Sequence, residues 1–210
     1  FKDPRIEPYG PFANATAAWV YPIKQSLTIH EERLHFHWPS AEHAFHAQKL
    51  LHLKEKLPAA DERQAVLTKT LHQLEHTKSH PKDEFLPHSD YNTLINGLIE
   101  SNPSLYFGNN NKEFEALCDA NYHGTDAPHQ GLMANGKPYI LEFMRRTLKM
   151  KFEQNPKLKQ LAIDCAREEI MPIDVNHLDN YWASGPEGQG QNQLGIMILE
   201  LGNGYLSELE

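Results

Sequence analysis

Two cysteines in 210 residues are too few for a disulfide framework, and Cys118 and Cys165 stand too far apart to suggest a cysteine-based zinc site. Both fall on apolar faces of predicted helices. They read as buried thiols, which suits a reducing compartment such as the cytoplasm. No stretch approaches the ~20 apolar residues of a membrane-spanning helix, so no membrane association is expected. Positive charge is also scarce: 20 Lys and Arg stand against 28 Asp and Glu, for a formal net charge of −8. A generic grip on nucleic-acid phosphates needs a basic surface and is excluded, while a small basic pocket is not. There is no internal repeat, no low-complexity tract, no His-Glu-x-x-His and no phosphate-loop lysine. The sequence opens on Phe1 rather than Met, and nothing about targeting is read from that end.

What is present is 40% apolar residues, enough for a core, in a length that suits one domain or one domain with an insertion. Residues 1–16 are loop-like. Trp19–Ile23 and Leu34–Trp38 read as short strands of a hairpin-like piece, the second alternating apolar and polar. A helix is predicted from about Pro39 to Leu57, stopped by Pro58. Another starts at Asp61, with Val66, Leu67, Thr70, Leu71 and Leu74 as its apolar stripe. Shorter helices are predicted around Leu94–Ile99 and Phe114–Cys118, with a long loop over 121–138. From Tyr139 the period is clean through Leu141, Met144, Leu148, Lys151 and Phe152. Pro156 opens the next helix, carrying Leu158, Leu161, Ala162 and Cys165. Ile170–Val175 reads as an edge strand containing Pro172. A glycine-rich loop, Gly185–Gly190, leads to a last helix with Leu194, Met197, Ile198 and Leu201. The class is mostly α and multihelical, with a few short β-strands.

The chemistry concentrates in Trp38–Lys49. Pro39 and Ser40 form a helix start. Glu42 and Lys49 are two turns apart, so they share one face roughly 10 Å apart along the axis, with His46 between them. A carboxylate and an amine on one rigid element can approach one small ligand. The same spacing also fits a solvated salt bridge. His35, His37, His43 and His46 crowd around Glu42 and raise zinc as a rival, but His43 and Glu42 diverge on a helix, and no metal site is expected.

Five blocks then resemble one family, in its order. Tyr9–Asn14 looks like the Phe-Ser-Asn turn of the NADAR, or YbiA-like, family. Trp38–Lys49 is similar to its Trp-Pro-Thr-x-Glu-His-x-Phe-Gln-Ala-x-Lys helix. Met144–Phe152 resembles its Met-x-x-x-Leu-x-x-Lys-Phe helix. Asp179–Trp182 resembles Asp-x-x-Trp-Gly, and Asn192–Gly195 resembles Asn-x-Leu-Gly. The blocks cover about the first 55 and last 70 residues. The sequence departs in carrying roughly eighty residues between Pro58 and Pro138, where the family has a much shorter segment. It also has Ala183 for the Gly after the Trp, and His46 for a Gln.

The resemblance implies a single multihelical domain over 1–210 with a helical insertion at about 58–138. It further implies an N-glycosidase that cleaves a ribose C1–N bond without a cofactor. Glu42 would stabilise an oxocarbenium-like state, position a water or exchange a proton. Lys49 would act through a Schiff base or bind a phosphate. Asn14, Trp38, His46, Asp179, Trp182, Gly190 and Asn192 are the expected ligand-binding residues. Trp182 would stack on a ring, Asp179 would bind ribose hydroxyls or hold its loop, and Asn192 would cap the last helix and offer an amide. Gly188-Gln189-Gly190 would cradle a pyrophosphate. The expected substrate is an ADP-ribosylated protein or nucleic acid, with ADP-ribose as product. A riboflavin-pathway intermediate is the alternative substrate, and a non-catalytic binder of ADP-ribose or NAD the alternative class.

Overall fold

The computed structural model describes residues 9–13, 21–76, 139–176 and 179–209. Among them are five α-helices and one two-stranded sheet, so the fold is mostly α. The chain divides into two compact units, one within Ala15–Ala120 and His129–Thr147, the other within Phe1–Asn14, Asn121–Pro128 and Leu148–Glu210. The helices predicted near Leu94–Ile99 and Phe114–Cys118, and the loop over 121–138, lie outside the described residues.

The first unit opens with the antiparallel strands β1 (Ile23–Ile29) and β2 (Glu32–Trp38), in register from Ile23 opposite Trp38 to Ile29 opposite Glu32. The hairpin is therefore real, but its first strand begins where the sequence pattern places the end of one. Only Ile23, Leu27 and Ile29 are apolar on its inward-facing alternation, and the polar Gln25 interrupts the stripe. The turn gives no glycine signal either. His30 and Glu31 occupy positive φ, 49° and 68°, in the geometry of a two-residue hairpin turn that usually recruits Asn-Gly.

Two helices pack against this hairpin. Helix α1 spans Ala41–Lys56, and Ser40 caps it as expected, its Oγ accepting from the His43 N–H. The far end is capped from outside the helix. His30 Nε2 donates to the Leu57 carbonyl at 2.8 Å, and the Gln64 amide donates to the carbonyls of Lys54 and Leu57. These bonds satisfy carbonyls that the helix end leaves open. Helix α2 spans Arg63–His76 behind an Asp61 whose carboxylate accepts from the Arg63 N–H. Its stripe is as read: Leu67, Leu71 and Leu74 are fully buried, each contributing about 1.5–3 kcal/mol, while Val66 sits at the margin. Gln25 ties strand to helix, its Oε1 accepting from the Trp38 indole N–H at 2.8 Å and from the Gln48 amide at 3.1 Å.

Helix α3 runs Tyr139–Glu153. In the second unit its C-terminal turn carries Lys151 and Phe152, both fully buried. Helix α4 is Pro156–Arg167, with Pro156 in its first turn, and α5 is Gln193–Ser207. The last two pack closely because Gly202 faces α4: a Cβ there would sit 2.2 Å from the Ala162 carbonyl oxygen. The segment 170–176 is neither helix nor strand and forms no ladder. Its hydrogen bonds go to a side chain and a loop, with the Asp174 N–H donating to Asn192 Oδ1 and the Asp174 carbonyl accepting from Ser184 N–H. An edge strand is thus corrected to a strap held by one asparagine.

Candidate active site

On α1 the helical period brings three predicted residues into one line. His46 Nε2 lies 3.3 Å from Glu42 Oε1, and His46 Nδ1 lies 3.5 Å from Lys49 Nζ. His46 and Lys49 are each 1% exposed, while the Glu42 side chain keeps 23% of its surface open. The acid is the end of the line that reaches solvent. Lys49 Nζ also lies 4.7 Å over the Phe45 ring, a cation–π contact on the order of 0.5–2 kcal/mol. The His46 ring tilts against the same phenyl, with centroids 5.4 Å apart. His46 thus stands between Glu42 and Lys49, with the imidazole and the amine buried and the acid partly open.

The other histidines go elsewhere. His43 is fully buried, its Nδ1 2.9 Å from Ser40 Oγ, and burial pulls its pKa down to about 4 against the partial opposition of the Glu42 charge. His35 is exposed beside Ser26 Oγ. Among the described residues no three His, Cys, Asp or Glu side chains group to hold a metal ion. Trp38 is fully buried, stacks on Phe36 at 4.7 Å and donates its N–H to Gln25. Its ring faces core and supports the hairpin beneath α1.

In the second unit Asp179 organises a turn. Its Oδ1 accepts from the N–H groups of Tyr181 and Trp182 at 2.9 and 2.8 Å, which is the loop-holding alternative for this residue. Trp182 is half-buried with its ring edge-on to Tyr181, which leaves part of the indole outside the core. Asn192 does not cap α5 with its side chain. It sits in the left-handed region, and its amide spans Asp174 N–H and the Pro172 carbonyl. Both of its polar atoms thus serve the strap. Gly195 lets that strap approach: a Cβ would fall 1.9 Å from the Pro172 oxygen.

The glycine-rich loop bonds largely to itself. Gly190 N–H donates to Ser184 at 2.7 Å, and the next four N–H groups, 191–194, donate to the carbonyls of Asn180, Ala183, Tyr181 and Trp182. The donors that a helix start would offer an anion are used inside the loop. Gly190 is required for a different reason: a Cβ would lie 2.4 Å from the Ala183 oxygen. Asn14 lies outside the described residues.

One residue with a polar role stood in the sequence as a member of an apolar stripe. Lys151 donates from Nζ to the Phe12 and Ala13 carbonyls at 3.1 and 2.8 Å, and burial lowers its pKa to about 7. The signal was a lone lysine between Leu148 and Phe152 on a face that is otherwise hydrophobic.

No family model matches the sequence. The chain is 37% identical over 60 residues to the N-glycosidase YbiA of Escherichia coli strain K12, covering 29% of this chain and 36% of that protein. It is 32% identical over 68 residues to the chloroplastic riboflavin biosynthesis protein PYRR of Arabidopsis thaliana, covering 32% of this chain and 11% of that one. The chain thus matches about a third or less of the length of these relatives. The solution structure of E. coli YbiA resembles this fold with a TM-score of 0.53 over 100% of this chain and 86% of the other, at 23% identity. At that identity the likeness speaks for the fold alone. In local sequence this chain is similar to the YbiA-like (NADAR) proteins, and in fold it resembles YbiA.

Proposed function

We propose that this chain is an N-glycosidase that cleaves the bond between a ribose C1 and a nitrogen, with Glu42 and Lys49 as its catalytic residues. The proposed substrate is an ADP-ribosyl group on a protein arginine or a nucleic-acid guanine, released as ADP-ribose. The observation that carries the reading is the line of Glu42, His46 and Lys49 on α1. A partly open carboxylate suits a transition state with positive charge on the sugar. A buried amine beside an imidazole suits nucleophilic work better than phosphate binding, which calls for an exposed cation. Lys49 Nζ adds to C1 of the ring-opened sugar, the aglycone amine departs, and water hydrolyses the resulting Schiff base. The half-buried indole of Trp182 offers a surface for ring stacking. A macromolecular substrate is preferred because the long segment between Pro58 and Pro138 offers chain for docking.

The test is release of ADP-ribose from a panel of arginine-, glutamate- and guanine-linked substrates. Wild type should turn over at least one, and Glu42→Gln and Lys49→Ala should each lose about 10²–10⁴ in rate. The likeness to a riboflavin biosynthesis protein favours a second reading, cleavage of a small riboflavin-pathway intermediate. Turnover of that compound with none of the panel would choose it. Binding of ADP-ribose without turnover, unchanged in Glu42→Gln, would sink both in favour of a non-catalytic module.

A further inference from the structure

We propose that His46 is a positioning base that takes a proton from Lys49 Nζ and carries the positive charge to Glu42, freeing the amine to react. The proposal rests on Lys49 being the reacting amine, and its test separates the two ideas.

The tautomer follows from the chemistry of the neighbours. A lysine ammonium only donates, so His46 Nδ1, 3.5 Å away, must accept. Nε2 then carries the ring hydrogen and stands 3.3 Å from Glu42 Oε1, an ion-pair distance once the ring is protonated. One Nζ–H bond breaks, one Nδ1–H bond forms, and the electron pair stays on Nζ. The three groups keep the same total charge, one positive and one negative, so no ion enters or leaves the buried site. The transfer moves the positive charge from one helical turn beyond the imidazole to direct contact with the carboxylate. Against it stands the Phe45 ring, which favours the ammonium, so the transfer belongs to the reaction. A glutamine, which the resembling helix carries at this position, accepts a hydrogen bond but no proton.

Several charged and titratable groups on the neighbouring elements have other engagements. On β2, Glu32 pairs with Lys54 at 2.8 Å, and His35 meets Ser26. On α2, Glu75 accepts from the His37 N–H and lies 3.3 Å from His72. On α3, Glu142 pairs with Arg146, and on α1 itself His43 meets Ser40 while His52 packs on Phe143. Among the described residues Glu42 is a carboxylate in contact with His46.

The experiment traps Lys49 with ribose 5-phosphate and cyanoborohydride from about pH 6 to 9.5, reading the adduct by peptide mass spectrometry, in wild type, His46→Gln and His46→Asn. Far-UV circular dichroism selects the variant that folds as wild type. The proposal expects adduct formation about 100-fold slower in the variant at pH 7, with the deficit shrinking to within about threefold at the alkaline end, where hydroxide removes the proton instead. A deficit constant across pH marks a packing role and overturns it, as does equal trapping in variant and wild type or no Lys49 adduct at any pH. Trapping with the expected profile but no cleavage of any ribosyl substrate leaves the base in place and removes the glycosidase reading. Cleavage whose rate ignores His46 at every pH does the reverse.

Discussion

His43 and Lys151 are buried ionisable side chains whose folded pKa values lie below their ordinary ones, and each makes stability depend on pH. The unfolded His43 takes up a proton near 6.5, the folded one only near 4. Acid therefore favours unfolding across that window, with a slope approaching 1.4 kcal/mol per pH unit and a total of about 3 kcal/mol. Urea denaturation at pH 7.5 and 4.5 should show that loss in wild type and a smaller one in His43→Gln. Lys151 works in the alkaline range, unfolded at 10.5 and folded near 7. Its contribution is fullest above 10.5, falls as pH drops toward 7, and is flat below. Lys151→Met should remove this dependence. It should also cost about 1–3 kcal/mol for each of the two bonds lost to the Phe12 and Ala13 carbonyls, read by the same denaturation.

Among the elements, α2, α3, α4 and α5 were legible because a 3.6-residue period survives wherever one face is buried. The limits of α1 were legible for a local reason: Ser40 has its partner three residues on, and Pro58 cannot continue a helix. Strand β1 was misplaced because the polar Gln25 interrupts its inward apolar positions, and that Gln25 is explained only by Trp38 and Gln48, far off in sequence. The strap at 170–176 read as a strand because alternating apolar residues look alike whether or not a ladder forms. The glycines of α5 are the element-scale prediction. Gly202→Ala should destabilise by about 1–3 kcal/mol, since the added methyl meets backbone of α4 that cannot rotate away. Gly204→Ala, with open space around it, should stabilise by a few tenths to about 1 kcal/mol. A thermal melt of the two variants checks both signs.

For the whole molecule, the segment over 77–138 carries the prediction that separates substrate classes. Replacing it with a short flexible linker should cut kcat/KM for protein- or nucleic-acid-linked ADP-ribose by about tenfold or more, a loss of at least 1.4 kcal/mol in transition-state binding. A small ribosyl substrate should change by less than about threefold. Steady-state kinetics on both substrates decides, and equal losses would mean that the segment supports the fold rather than docks the substrate.

The residues alone determined that the chain is helical, that its blocks run in the order of one family, and that Glu42, His46 and Lys49 share a face. Each of these depends on spacing along one element, which the backbone period converts directly into direction. Tertiary structure decided what the remaining residues do. Trp38 is sealed in core, the donors around Gly190 bond to their own loop, Asn192 holds a strap and Lys151 grips two distant carbonyls. Those roles are set by partners many residues away, and a side chain's type fixes which bonds it can make, not which neighbour the fold brings to it.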